Sequence, residues 1–145
     1  MAIPTPHPGL VVSYAYLWHH ESERGQDHGL KDRPCAIVLA REVVADITVV
    51  TVAPVTHRPP SDASEAIEMP QLIKTHLGLD EVPSWIVLTE VNSFVWPGSD
   101  LKPIPGSSPA QFAYGVLPPR FFAKLRTALL EAVRARRVRI VDRKE

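Results

Sequence analysis

The feature that most limits what this chain can fold into is its proline content: fifteen prolines among 145 residues, all before position 120. Proline removes a backbone donor, clashes with the preceding helical turn and drives the residue before it into extended conformation. Spread as they are, these prolines disfavour any long helix before the C-terminal quarter. Between them lie short apolar runs rich in β-branched and aromatic residues, the pattern of several short strands. The length is that of one domain, residues 1–145, able to bury a core but too short for two.

Residues 9–18, from Gly9 to Trp18, read as a first strand after a turn signal. Residues 19–32 hold two glycines, three histidines and mixed charge without periodicity, so an exposed irregular loop is expected. Two apolar runs, 35–40 and 47–53, predict antiparallel strands joined by a connection over 41–46, with Pro54 ending the second. A brief strand over 66–69, a turn or two of helix over 71–78 and a clear strand over 84–91 follow. Residues 101–109 read as loop. Pro118 and Pro119 then open the one convincing helix, since a first helical turn tolerates proline. Its apolar stripe is Phe122, Leu125, Leu129 and Val133, with Phe121, Ala128 and Ala132 beside it. Residues 138–141 suggest a last edge strand. Short strands with one late helix indicate an SH3-like or open barrel.

Several classes are set aside by composition. With 45% apolar and 22% charged residues the chain can fill a core, so it is not a disordered one. The single cysteine, Cys35, can form no internal disulfide, and there is no zinc-ligand spacing; a reducing cytoplasm is expected. No secretion signal and no membrane span are read, because no basic segment precedes an apolar one and no apolar run approaches eighteen residues. Formal net charge is zero, yet residues 120–145 carry nine Lys/Arg against three Asp/Glu, a net of +6, and the remainder carries −6. A basic tail on an acidic body suits an RNA-facing surface, a face for an acidic partner, or a merely solvated segment.

The order of the pieces carries a resemblance: a glycine and first strand, a polar loop, Lys31-Asp32-Arg33-Pro34 into an apolar strand, and a second apolar strand ending in Ala53-Pro54-Val55-Thr56. A Ser84-Trp85 strand and the C-terminal helix complete it. Over residues 9–136 this order resembles the PemK/MazF-like family of growth-inhibitor toxins, with Arg33-Pro34 and Pro54-x-Thr56 its most specific marks. The resemblance implies a mainly-β fold with one C-terminal helix, an SH3-like small barrel acting as a homodimer. It also implies a toxin of a type II toxin–antitoxin system: an endoribonuclease that cuts single-stranded RNA without metal or other cofactor. The implied partner besides RNA is a cognate antitoxin that covers the RNA groove.

Metal-free RNA cleavage needs a base for the 2′-hydroxyl proton, a cation for the phosphate and an acid for the leaving 5′-oxygen. Arg33 is the leading candidate for the phosphate, since its planar fork binds two oxygens at once; a strand-start residue pairing Asp32 or a carbonyl is the plainer reading. Thr56 matches the family's threonine, whose hydroxyl donates to phosphate or orients the 2′-oxygen; capping a turn is its plainer role. Histidine has the pKa for proton transfer. His57 follows Thr56 and His28 precedes the Arg33 strand, so these two join Arg33 and Thr56 as the catalytic set. Lys31, Arg58, His19 and His20 are assigned to hold the RNA. A metal site from His19, His20 and His28 lacks a helical i, i+4 pair to fix it. Trp85, Phe94 and Trp96 are candidates for base stacking, against a core position for Trp85 and an interface position for Trp96.

The chain departs from the family on residues 84–91, where some members carry an acidic residue and an arginine; the inner part here is apolar and only Glu90 is acidic. This leaves Arg33, Thr56 and a histidine as the chemistry. The alternative it opens is a non-catalytic barrel that binds RNA or poisons a protein such as a topoisomerase.

Overall fold

The computed structural model describes residues 3–26 and 31–143. Among them the order is β1 (Leu10–Tyr14), α1 (His19–Glu23), β2 (Arg33–Val44), β3 (Ile47–Thr56), β4 (Ala66–Glu68) and α2 (Gln71–His76). There follow β5 (Trp85–Val87), β6 (Glu90–Val95), β7 (Ala113–Val116), α3 (Pro119–Arg134) and β8 (Arg139–Asp142). The fold is mainly β with a C-terminal helix, as the proline distribution predicts. Among the described residues no helix is long and apolar enough to cross a membrane.

The sheet runs β4-β5-β3-β2-β1-β7, with β6 added to β3 and β8 to β6; all pairs are antiparallel except β6 with β8. It does not close into a barrel, for β7 pairs only with β1 and β4 only with β5. Helix α2, which follows β4, reaches toward the open end. The Leu77 side chain just after it lies 3.1 Å from where a Cβ on Gly115 of β7 would stand, and Gly115 has φ 144°. Only glycine suits both that backbone and that approach.

β3 is the strand on which the architecture turns. One edge pairs with β2, while the other pairs with β6 at Val49 to Val52 and with β5 at Val55 and Thr56. Contrary to the sequence expectation, Pro54 does not end this strand. It falls between the two pairings, where that edge has no ladder bond to lose. The expected single strand over 84–91 is correspondingly two strands, β5 and β6, one for each half of β3. The break between them is satisfied by the Leu88 N–H donating to the Glu65 carbonyl (2.8 Å) and the Thr89 carbonyl accepting from Arg139 N–H (2.9 Å).

Other boundaries move for local reasons. The connection expected over 41–46 narrows to a two-residue turn, Ala45 and Asp46, because Val44 pairs with Ile47 and Asp46 adopts φ 67°, a conformation aspartate tolerates. The loop over 19–32 contains α1, whose Glu21 is buried and accepts the Trp18 N–H at 3.0 Å. Strand β7 has no clear signal in the sequence, being four residues with a central glycine.

Two apolar clusters fill the interior, one on each face of the central strands. Val11, Ala36, Ala53 and Val55 face α3, while Leu10, Val12, Tyr14, Ile37, Val50 and Val52 face Phe94 and Leu101. Both faces of β1 are thus covered, which is why its apolar run is continuous rather than alternating. On α3 the buried residues are Phe121, Leu125 and Ala132, with Phe122, Ala128 and Leu129 partly covered. Val133, expected in the stripe, is 53% exposed, so the packed line runs through Ala132 instead. One cation of the basic tail is buried: the Arg143 guanidinium meets Asp100, the Tyr14 hydroxyl (3.2 Å) and the Ala15 carbonyl (3.1 Å).

Candidate functional site

The start of β2 and the end of β3 lie side by side. Extending the Cys35–Pro54 pairing outward by two residues sets Arg33 opposite Thr56, so the two motifs read from the sequence meet at one end of the sheet. There they line a groove of about 740 Å³ whose other walls are Trp18 and α1, the residues 57–61 that follow β3, and the segment from Lys74 to Ser84. Of the expected site residues, Lys31, Arg33, Thr56, His57, Arg58 and His20 all line it. His19 does not: its Nδ1 lies 3.2 Å from Glu23 and 3.3 Å from Arg139, so it is tied to neighbours outside the groove. His28 lies outside the described residues.

Arg33 is half-buried with its guanidinium carbon 5.0 Å from the centre of the Trp18 ring. Among the described residues its guanidinium makes one hydrogen bond, a long one from Nη1 to the Val55 carbonyl at 3.4 Å, and its buried Nε has no partner. Among the described residues no carboxylate lies within ion-pair distance of it, Asp32 included. Arginine has five donors, so most of its hydrogen-bonding capacity is unspent, and a partly buried cation in that condition is poised for an anion. The plain reading, a contact with a carbonyl, is therefore present but does not use the residue up.

Thr56 Oγ1 accepts the Arg58 N–H at 3.1 Å, which closes the turn after β3. Its own proton stays available to donate. His57 Nε2 lies 3.1 Å from Asp80 Oδ2, and the other oxygen of Asp80 accepts from Lys74 Nζ at 2.8 Å. Lys74 is 1% exposed and also donates to Ser84 Oγ (2.7 Å) and to the Val82 carbonyl. The hydrogen bond from Lys74, helped by His57 and the Val82 N–H, holds the Asp80 carboxyl below its usual range against a partial desolvation.

Sequence reasoning missed Trp18, Lys74 and Asp80 as groove residues. Trp18 reads as the end of a strand, and Lys74 inverts the usual hydropathy of its helix, for Leu72 beside it is 86% exposed. No local pattern announces a buried lysine. The expected aromatic platforms are elsewhere. Phe94 is buried and stacks on Tyr14 at 4.4 Å, Trp96 packs at the edge of the second cluster, and Trp85 is half-buried outside the groove wall. Cys35 is fully buried, which pushes its thiol up and leaves no thiolate to act as a nucleophile.

Fold and groove together define a mainly-β protein whose central strands end in a cleft of cationic, imidazole and hydroxyl groups. No family model, curated protein or solved structure matches the chain.

Proposed function

We propose that this cleft cleaves single-stranded RNA without a metal, and that the protein is the cytoplasmic toxin of a PemK/MazF-like pair. In this reading the open sheet is an unclosed form of that family's SH3-like small barrel, working as a homodimer and covered by a cognate antitoxin when inactive. The observation that carries it is Arg33: a half-buried guanidinium with unspent donors and, among the described residues, no carboxylate partner, beside a threonine hydroxyl and a histidine.

The chemistry follows from those groups. Arg33 and Thr56 hold the scissile phosphate and stabilise the charge that grows on its oxygens. His57 takes the proton from the 2′-hydroxyl as the 2′-oxygen to phosphorus bond forms. His20 and His57 line the same groove as Arg33, so either imidazole is open to a strand held there. His20 gives a proton to the 5′-oxygen as the phosphorus to 5′-oxygen bond breaks, leaving a 2′,3′-cyclic phosphate and a 5′-hydroxyl. Lys31 and Arg58, both exposed, hold the flanking backbone.

The purified protein is expected to cut an unstructured RNA in EDTA, and Arg33→Ala to lower the rate by roughly 100-fold or more with folding intact. Arg33→Lys should not restore it, because a point charge cannot grip two oxygens. Wild-type rates in the Arg33→Ala variant, or a strict need for a divalent ion, refute the reading. One observation favours a binding role instead: β5 brings no ionisable side chain to the cleft. Growth arrest on induction with total RNA intact would support that alternative.

A further inference from the structure

Lys74 has no place in the RNA chemistry above. Its ammonium donates to Asp80 Oδ1, Ser84 Oγ and the Val82 carbonyl, so its three protons are all engaged. It has nothing left to offer a ligand, and what it does is hold Asp80. That carboxylate also accepts the Val82 N–H at 3.1 Å, so one of its oxygens is fixed from two directions while the other faces His57 Nε2. An ionised carboxylate only accepts, so a neutral His57 in this contact must carry its proton on Nε2. Its lone pair is then on Nδ1, for which no protein partner exists among the described residues.

We infer that Asp80, anchored by Lys74, is a positioning residue that fixes His57 as the Nε2–H tautomer, so that Nδ1 is the nitrogen that takes the 2′-hydroxyl proton. The chemistry rests on the nuclease reading of the cleft; the geometry does not. When Nδ1 receives the proton, the imidazolium faces the Asp80 carboxylate, which stabilises it without itself being protonated. An unanchored ring would divide its time between two tautomers and two orientations, and only one of them presents a base to the substrate.

Replacing Asp80 by asparagine gives a sharp test, because Lys74 and the Val82 N–H both demand an oxygen. The asparagine carbonyl must stay with them, its amide NH₂ must face His57, and Nε2 must now accept. Nitrogen-15 NMR of the histidine rings, recorded where they are neutral and without RNA, should show Nε2–H for His57 in the wild type and Nδ1–H in Asp80→Asn. Under single-turnover conditions Asp80→Asn should slow cleavage by roughly 100-fold with RNA affinity unchanged. In a His57→Ala background the same substitution should change the rate less than twofold, since the group it orients is gone. If Asp80→Asn folds poorly because the buried Lys74 charge has lost its counter-charge, the double variant Asp80→Ala/Lys74→Met removes both charges and should give a tautomer mixture. A wild-type Nδ1–H tautomer, a tautomer insensitive to both variants, or an equal slowing in the His57→Ala background would overturn the inference. Tautomer control in a protein that cuts no RNA upholds the Asp80 geometry and counts against the nuclease reading, so the two fail separately.

Discussion

Arg33 and Lys74 are two cations at one cleft with opposite fates. Lys74 is closed in and saturated by protein acceptors, while Arg33 rests on an indole face and keeps its donors. In the proposed reading the first is a part of the frame and the second a part of the chemistry. Asp80, between Lys74 and His57, ties the site to pH. Its carboxyl is held below the ordinary aspartate value of about 3.9, so it stays ionised in the fold where the unfolded chain would begin to protonate. A depressed folded value means that the stability it contributes is present above about pH 4 and is lost as pH falls through the folded value. The melting temperature of Asp80→Asn should therefore lie below that of the wild type at neutral pH, and the gap should close below about pH 4. Asp80 is half-exposed, and the gap should shrink with added salt.

At the scale of elements, α3 shows what a helical stripe in the sequence settles and what it leaves open. Seven apolar residues at three- and four-residue spacing announce an amphipathic helix, but the packed line depends on how the helix is rolled against β1 and β2. Leu125 is fully buried and Val133 half-exposed, so Leu125→Ala should cost about 2–5 kcal/mol in denaturant unfolding, while Val133→Ser should stay within about 0.5 kcal/mol. Equal losses at the two positions would mean that the helix is rolled differently. β3 carries the same lesson for strands. Its proline, which in isolation reads as a terminator, is tolerated because the strand changes partner there, and that is a property of β5 and β6 rather than of β3.

Across the whole molecule, the net +6 of residues 120–145 is divided by the fold. Arg143 is withdrawn into the interior with Asp100, whereas Arg136, Arg137 and Arg139 line a second concavity that shares Glu65 and Thr89 with the cleft. If the cleft holds RNA as proposed, a strand leaving it on that side meets three cations. Replacing all three by serine should weaken binding of an RNA long enough to span both concavities and flatten the slope of log affinity against log salt by about 2. A dinucleotide held at Arg33 alone should not respond. By itself the sequence determined the class of fold, mainly β with one late helix, because proline spacing and β-branched runs act through local backbone sterics. It also brought Arg33, Thr56 and His57 into one hypothesis, since adjacent strands in a hairpin set their ends together. Only the tertiary structure decided that Trp18 carries Arg33, that His19 is turned away, and that Lys74 is buried behind Asp80. Those placements depend on which distant segments meet at the cleft. A buried polar group is stable only when such segments supply its partners, and that supply has no periodicity to read.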